Sequence, residues 1–272
     1  MEIKVYKNQQ PDVNLSIPRK DEFCFYVLEK IIKGECRLTV TDGKRLIICH
    51  SSALYPVWVW QPDDATDDEL DEAYSLICEY FPVGENYRFN MKYSLASYVS
   101  ARSKEKGIPM EISLNMLAYS CSDPIMPKRV PKGKTVAAAE GDIDLCSKYM
   151  DLFHKEVGID QTDFAAYRKK AEELILNQRI FFRTDDAGEK VCMAYYNVNG
   201  DKGCIGNVYT LPEKRRCGYG AMLVYDLTRT VASSGRTPVL YTDADYAASN
   251  ACYEAIGYRK EGALCTLERS RK

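Results

Sequence analysis

Seven consecutive residues, Arg215-Arg216-Cys217-Gly218-Tyr219-Gly220-Ala221, have the types and spacing of an anion cradle. They follow a strand-like segment, Cys204 to Tyr209, and lead straight into an amphipathic helical pattern. Gly218 and Gly220 carry no Cβ, so the turn can tighten and a ligand can approach its backbone closely. The first N–H groups of a helix lack partners within it, and the positive end of the helix dipole stands behind them. A pyrophosphate settles at such a place. Lys214, Arg215 and Arg216 add side-chain charge there. A dinucleotide-binding turn would need Gly or Ala where Leu223 stands, and a whole doubly wound unit downstream. A nucleoside-triphosphate loop would need Gly-Lys-Ser/Thr, which does not follow. The plain alternative is a surface turn with a basic flank.

The segment after the loop narrows the choice. A helix is expected from about Gly220 to Ser234, with Met222, Leu223, Leu227 and Val231 on one face and Gly235 placed to end it. Thr237 to Thr242 reads as an apolar strand ending in Asp243-Ala244-Asp245. A short helix, Ser249 to Ile256, closes on Gly257-Tyr258, and two short strands are expected to finish the chain. Arg-Arg-x-Gly-x-Gly-Ala, a strand, then Asn-x-x-Tyr-x-x-x-Gly-Tyr resembles the GNAT superfamily of acyl-CoA-dependent N-acetyltransferases. The resemblance covers Lys134 to Arg271, about half the chain.

That resemblance implies a mixed α/β fold whose fourth strand and following helix bind acetyl-CoA, with the strands flanking that helix splayed apart to receive the pantetheine. Carried over residue by residue, it implies that Val208, Tyr209 and Thr210 offer backbone to the pantetheine and thioester. The N–H groups from Arg215 and Arg216 through Cys217, Gly218, Tyr219, Gly220 and Ala221 face the pyrophosphate. Asn250 contacts the cofactor's arm, and Tyr253 stands near its sulfur. A backbone donor at Val208 aimed at the developing oxyanion is worth about 3 kcal/mol. Tyr253, a phenol of pKa about 10, is expected to protonate the leaving thiolate; the alternative is an ordinary aromatic on a small helix. Several members of the family use a glutamate on the fourth strand as base, but this strand has Asn207 and no carboxylate. Asp243 and Asp245 are candidates to bind or deprotonate a cationic amine, against a helix cap or an Asx turn. The base stays unassigned.

The elements that must position these residues are legible in the second half. Lys134 to Ala139 suits an opening strand, and two helical faces follow: Cys146, Tyr149, Met150, Phe153, Val157, and Phe164, Tyr167, Ala171, Leu174, Ile175. Thr162 or Asp163 is the expected N-cap of the second. Ile180 to Arg183 and Val191 to Tyr196 are strands joined through Asp186-Ala187-Gly188, and Asn199-Gly200 signals a hairpin into the cofactor strand.

The first half is less clear. Leu38 to Ile48 reads as a hairpin around Asp42-Gly43, and Val57-Trp58-Val59-Trp60 as a strand whose tryptophans either line a pocket or, as is commoner for alternating aromatics, divide between core and surface packing. A helix spans Leu70 to Phe81, a second runs from Leu95 to Lys106, and Met110 to Met116 alternates as a strand. The proline-spaced basic stretch from Asp123 to Gly133 marks a linker. The expected division is therefore an N-terminal α/β domain, 1–128, and a catalytic domain, 129–272. The first domain is either a degenerate copy of the same unit, lacking its loop, or an unrelated small α/β domain.

The chain has 272 residues, 46% hydrophobic and 28% charged, with net charge −2, so nothing in its overall charge draws it to nucleic acid or an anionic membrane. Its 11 cysteines are scattered and odd in number, which suits free, mostly buried thiols in the cytoplasm. Two histidines are too few for a histidine metal site or a triad, so no metal is expected. The expected partner is a small-molecule or peptide amine acceptor, and the protein is expected to be a monomer or homodimer. A non-catalytic acyl-CoA sensor and an aminoacyl-tRNA-dependent transferase are the alternatives.

Overall fold

The alternation of short apolar strands and amphipathic helices yields a mixed α/β protein in the computed structural model, which describes residues 2–270 apart from 13, 35, 84 and 159–161. The chain divides into two compact units: Met1–Ala118 with Thr242–Tyr246 and Lys260–Lys272, and Tyr119–Tyr241 with Ala247–Arg259. Among the described residues no helix is long and apolar enough to cross a membrane.

The first unit runs β1 (Lys4–Lys7), α1 (Tyr26–Lys33), β2 (Leu38–Thr41), β3 (Ile47–His50), β4 (Val57–Trp60), α2 (Asp67–Tyr80), β5 (Arg88–Met91), α3 (Tyr93–Glu105) and β6 (Met110–Ser120). Strands β1 to β4 are antiparallel neighbours, whereas β4 and β5 pair in parallel through the crossover helix α2. Helix α2 begins where Thr66 Oγ1 accepts the Glu69 N–H (3.3 Å) and Glu69 Oε2 accepts the Thr66 N–H (2.8 Å), a reciprocal cap. Val57 and Val59 pack with Ala73, Ile77, Leu95 and Val99. Both tryptophans are buried rather than divided between core and surface: Trp58 lies edge-on to Phe25, and Trp60 Nε1 donates to Asp21 (2.9 Å). Asp21 in turn pairs with Lys92 at 2.8 Å, so the charge is matched inside the unit.

The second unit holds β7 (Thr135–Ala137), α4 (Ile143–Val157), α5 (Phe164–Leu176), β8 (Ile180–Thr184), β9 (Lys190–Asn199), β10 (Lys202–Thr210), α6 (Tyr219–Ser233), β11 (Thr237–Asp243) and α7 (Ala247–Ala255). Its strands lie in the order β11-β10-β9-β8-β7. Asp163 caps α5, accepting the Ala166 N–H at 2.7 Å. The β9–β10 hairpin turns on Gly200 (φ 55°) and Asp201, with Asn199 facing Lys202. Tyr149, Met150, Tyr167 and Leu174 from α4 and α5 cover one sheet face. Leu223, Leu227 and Val231 of α6 cover the other, against Cys192, Ala194 and Ile205. Gly203 fits only as glycine, because a Cβ there would stand 2.3 Å from Val231.

The chain's end departs from the expected pair of short strands. It is one strand of 11 residues, β12 (Arg259–Arg269), and from Lys260 on it belongs to the first unit. There it pairs antiparallel with β5, Cys265 facing Met91 and Leu267 facing Phe89. Alternating Leu264, Thr266 and Cys265, Leu267 are all buried, the burial of a central strand rather than an edge hairpin.

Candidate active site

Strands β10 and β11 start as a parallel pair, Lys202 beside Thr237, Gly203 beside Pro238 and Cys204 beside Val239. The pairing ends there, although β10 continues to Thr210 and β11 to Asp243. From Ile205 onward the β11-facing edge of β10 is unzipped. An open edge of this kind can accept an extended chain as an added strand.

Within the unzipped stretch β10 is bulged: its register against β9 shifts between Gly206 and Tyr209, so Asn207 and Val208 together oppose Ala194. Asn207 takes φ 53°, a conformation unusual for any residue but glycine. Its side chain is buried, and Oδ1 has no hydrogen-bond donor among the described residues. A buried acceptor without a donor costs about 1–3 kcal/mol. Val208 packs toward the α6 face. Tyr209 points to the opposite face, buried edge-on against Tyr149 (5.5 Å between ring centroids), so only its backbone is available to a ligand. Thr210 Oγ1 lies 3.1 Å from Cys192 Sγ, and its carbonyl accepts Arg215 Nε at 3.0 Å.

The loop from β10 to α6 passes through Arg216 at φ 57° and Gly218 at φ 91°. Met222 makes the first helical bond, to the Gly218 carbonyl (3.0 Å), which leaves the N–H groups of Tyr219, Gly220 and Ala221 without helical partners. Gly218 is the N-cap and supplies no side-chain cap. Gly220 sits close to Thr210 Oγ1, 3.3 Å from where its Cβ would stand. Cys217 is half-buried.

The cations of the loop are not equivalent. Lys214 pairs with Asp185 at 2.8 Å, and this bond holds the Asp185 carboxyl below the usual range. Arg215 pairs with Glu156 at 2.5 Å and lies over the Tyr209 ring. Both are tied to the protein's own acids. A contact that sequence reasoning missed comes from far away in the chain: Arg129 donates from Nη1 to the carbonyl of Arg216. The proline-spaced basic run around Arg129 was legible, but nothing in it pointed to this loop.

Asn250 and Tyr253 lie half-buried on α7. Tyr253 is edge-on to Tyr258 at 6.0 Å, and Tyr258 Oη meets Thr228 Oγ1 of α6 at 2.8 Å, so a phenol buried between them fixes α7 against α6. Burial pushes the Tyr258 phenol well up, and Cys121, Tyr253 and Cys204 all stand near enough to add to that. Asp243 and Asp245 are exposed and fall in the first unit. They make the Asx turn, Asp243 Oδ1 accepting the Asp245 N–H (2.9 Å), while Asp245 accepts from Asn115 Nδ2 (2.8 Å). None of the eleven cysteines is in a disulfide, and seven are buried.

Residues 186–267 match the family model described as FR47-like protein. No characterised protein sequence matches the chain. Among solved structures, a GCN5-related N-acetyltransferase from Sphaerobacter thermophilus is similar over 99% of this chain and 96% of its own, with a TM-score of 0.69 at 13% identity. One from Kribbella flavida covers 94% and 98%, with a TM-score of 0.63 at 16% identity. A GNAT-family acetyltransferase from Colwellia psychrerythraea covers 100% of both chains, with a TM-score of 0.57 at 12% identity. The chain has the fold of the GNAT acetyltransferases.

Proposed function

We propose that the protein transfers an acetyl group from acetyl-CoA to a primary amine, and that its second unit holds the coenzyme. The observation that carries this reading is the strand pair that parts beyond Cys204 and Val239, followed by a loop that delivers the uncapped N-terminus of α6. When bound, acetyl-CoA supplies an activated acyl carbon and a thiolate leaving group. The N–H groups of Tyr219, Gly220 and Ala221 hold its diphosphate, and the open edge of β10 receives its linear arm. The Val208 N–H faces the thioester oxygen and stabilises the charge that develops there. Asn207 Oδ1, buried and lacking a donor, accepts a hydrogen bond from the incoming amine and orients it. The Tyr253 hydroxyl delivers a proton to the departing sulfur.

Direct attack fits better than a covalent relay. The His50 ring partners the Tyr55 carbonyl (3.1 Å) and the His154 ring partners the Tyr167 hydroxyl (3.0 Å), so neither is spent on activating a cysteine. Thiol release from acetyl-CoA in the presence of a panel of amines tests the reading. Tight coenzyme binding with no amine-dependent release across the panel would replace it with a sensor.

The first unit is read as a reduced copy of the second. Its β4, α2, β5 and α3 repeat the order of β10, α6, β11 and α7. Where α6 opens on glycine, α2 is closed by Thr66 and carries Asp67, Asp68 and Glu69 in its first turn, which repels an anion. Calorimetry is expected to find one coenzyme per chain, and a stoichiometry of two would sink the distinction.

A further inference from the structure

Residues 123–133 read in the sequence as a linker, yet together with Cys121 they are laid as a strap on the second unit. At its start the Cys121 N–H donates to the Pro238 carbonyl (3.0 Å) and the Ile125 N–H to the Ile256 carbonyl (2.7 Å). At its end the buried Arg183 donates from Nη2 to the carbonyls of Pro131 and Gly133, both at 3.0 Å. Between these anchors the strap crosses the loop that precedes α6. A Cβ on Gly218 would stand 2.9 Å from the Arg129 carbonyl oxygen and 3.3 Å from both Arg129 Cγ and Pro131 Cδ. Part of the reason for glycine at 218 is therefore the protein's own strap, not only an approaching ligand.

This contact changes the electrostatics of the loop. Lys214 and Arg215 are already matched by Asp185 and Glu156. Arg216 and Arg129 are exposed, and neither forms an ion pair among the described residues. Arg129 uses one guanidinium N–H on the Arg216 carbonyl, which leaves four donors in a fixed fork. A guanidinium tethered in this way loses little freedom on meeting an anion. The strap thus returns to the mouth of the loop one of the cations that the loop's own sequence gives up to acids.

We propose that Arg129 is a coenzyme-binding residue, contacting a phosphate of coenzyme A from the strap. The proposal rests on the reading that the α6 loop holds that coenzyme. Coenzyme A offers two phosphate sources, its diphosphate and its ribose 3′-phosphate, and the experiment separates them.

Dissociation constants are measured by calorimetry for coenzyme A and for 3′-dephospho-coenzyme A, on wild type, Arg129→Ala, Arg129→Gln and Arg129→Lys. Lys148→Ala, which removes an exposed charge from α4, is the control, and thermal melting verifies that each variant is folded. Arg129→Ala is expected to weaken coenzyme A about tenfold, which is about 1.4 kcal/mol. Arg129→Gln, which keeps a donor but loses the charge, should be as weak; Arg129→Lys should recover part of the loss; Lys148→Ala should bind as wild type does. If the contact is to the 3′-phosphate, the dephospho compound binds wild type and Arg129→Ala equally. If it is to the diphosphate, both ligands weaken together. Folded Arg129→Ala that binds coenzyme A as tightly as wild type overturns this proposal and leaves the loop reading intact. A wild-type chain that binds no coenzyme removes the loop reading itself, and Arg129's role with it.

Discussion

Cys204 on β10 and Val239 on β11 are the last residues that these parallel strands place side by side. Everything proposed for the site depends on the backbone beyond them being open to a ligand. Hydrogen exchange measures this directly. Amides in a peptide spanning residues 205–210 are expected to exchange faster than those of the fully paired β9, and to slow when coenzyme A is added. Unchanged exchange under saturating coenzyme would mean that the open edge is not where the linear arm lies.

Tyr253 lies edge-on to the buried Tyr258, which bonds Thr228 of α6, and a phenylalanine ring in its place keeps that ring contact. Tyr253→Phe is expected to lower the turnover number about 10²-fold, the lower end of what a general acid contributes. The KM for acetyl-CoA should stay within a factor of about two, because the lost interaction acts on the leaving sulfur. A variant that turns over at the wild-type rate would return Tyr253 to a packing role.

Much of the second unit was legible because its signals are local. Met222, Leu223, Leu227 and Val231 at helical spacing, a capping Asp163 and a glycine past α6 are each decided within a turn or two of chain. The strands β1 and β5 and the helix α1 were not legible. The four-residue strands β1 and β5 lack the Asp42-Gly43 turn that marks β2 and β3 and the unbroken apolar run that marks β4, and α1 has only eight residues. The capping box at Thr66 and Glu69 was readable in principle, because both of its residues lie within four positions of each other. The fate of β12 was hidden for a different reason. No property of residues 259–269 alone says that they pair with β5, far back in the chain. The site divided in the same way: the loop and Tyr253 lie in contiguous motifs, whereas the Arg129 contact spans 87 positions.

Gly218 combines a left-handed backbone with the press of the strap, so its replacement should cost stability as well as binding. Placing Ala at φ 91° costs about 1–2 kcal/mol, and the overlap with Arg129 and Pro131 adds about 1–3 kcal/mol more. Urea unfolding of Gly218→Ala is expected to lose about 3 kcal/mol in total. An unchanged midpoint would show that the strap does not press on the loop in solution.

Asn207 poses the opposite case, a residue whose conformation and burial both oppose stability. Asn207→Gly removes the donorless oxygen and relieves the left-handed strain. A gain in unfolding free energy of about 1 kcal/mol is expected, the relief being partly offset by the greater chain entropy of glycine. Acetyl transfer should fall at the same time, through KM for the amine more than through coenzyme binding. A variant that is more stable and equally active would show that Oδ1 orients nothing.

The two histidines make the fold sensitive to mild acid. His50 is buried with its ring edge-on to Phe81 and Tyr87, and burial holds its pKa below the ordinary value. His154, packed against Tyr167, is lowered for the same reason, with the charge of Asp151 acting in the opposite direction. A histidine whose pKa is lower in the folded state binds fewer protons there than in the unfolded chain over the interval between the two values. Stability is therefore complete above the unfolded pKa, about 6.5, and is lost as pH falls through the folded values. Urea midpoints are expected to decline from pH 7.5 to 5.5, a range in which ordinary carboxylates stay ionised. His50→Leu should flatten part of that decline, and NMR should place both imidazole titrations below 6.5. A midpoint that does not move across this interval, or an imidazole titrating at or above the free value, would show that burial does not control these side chains.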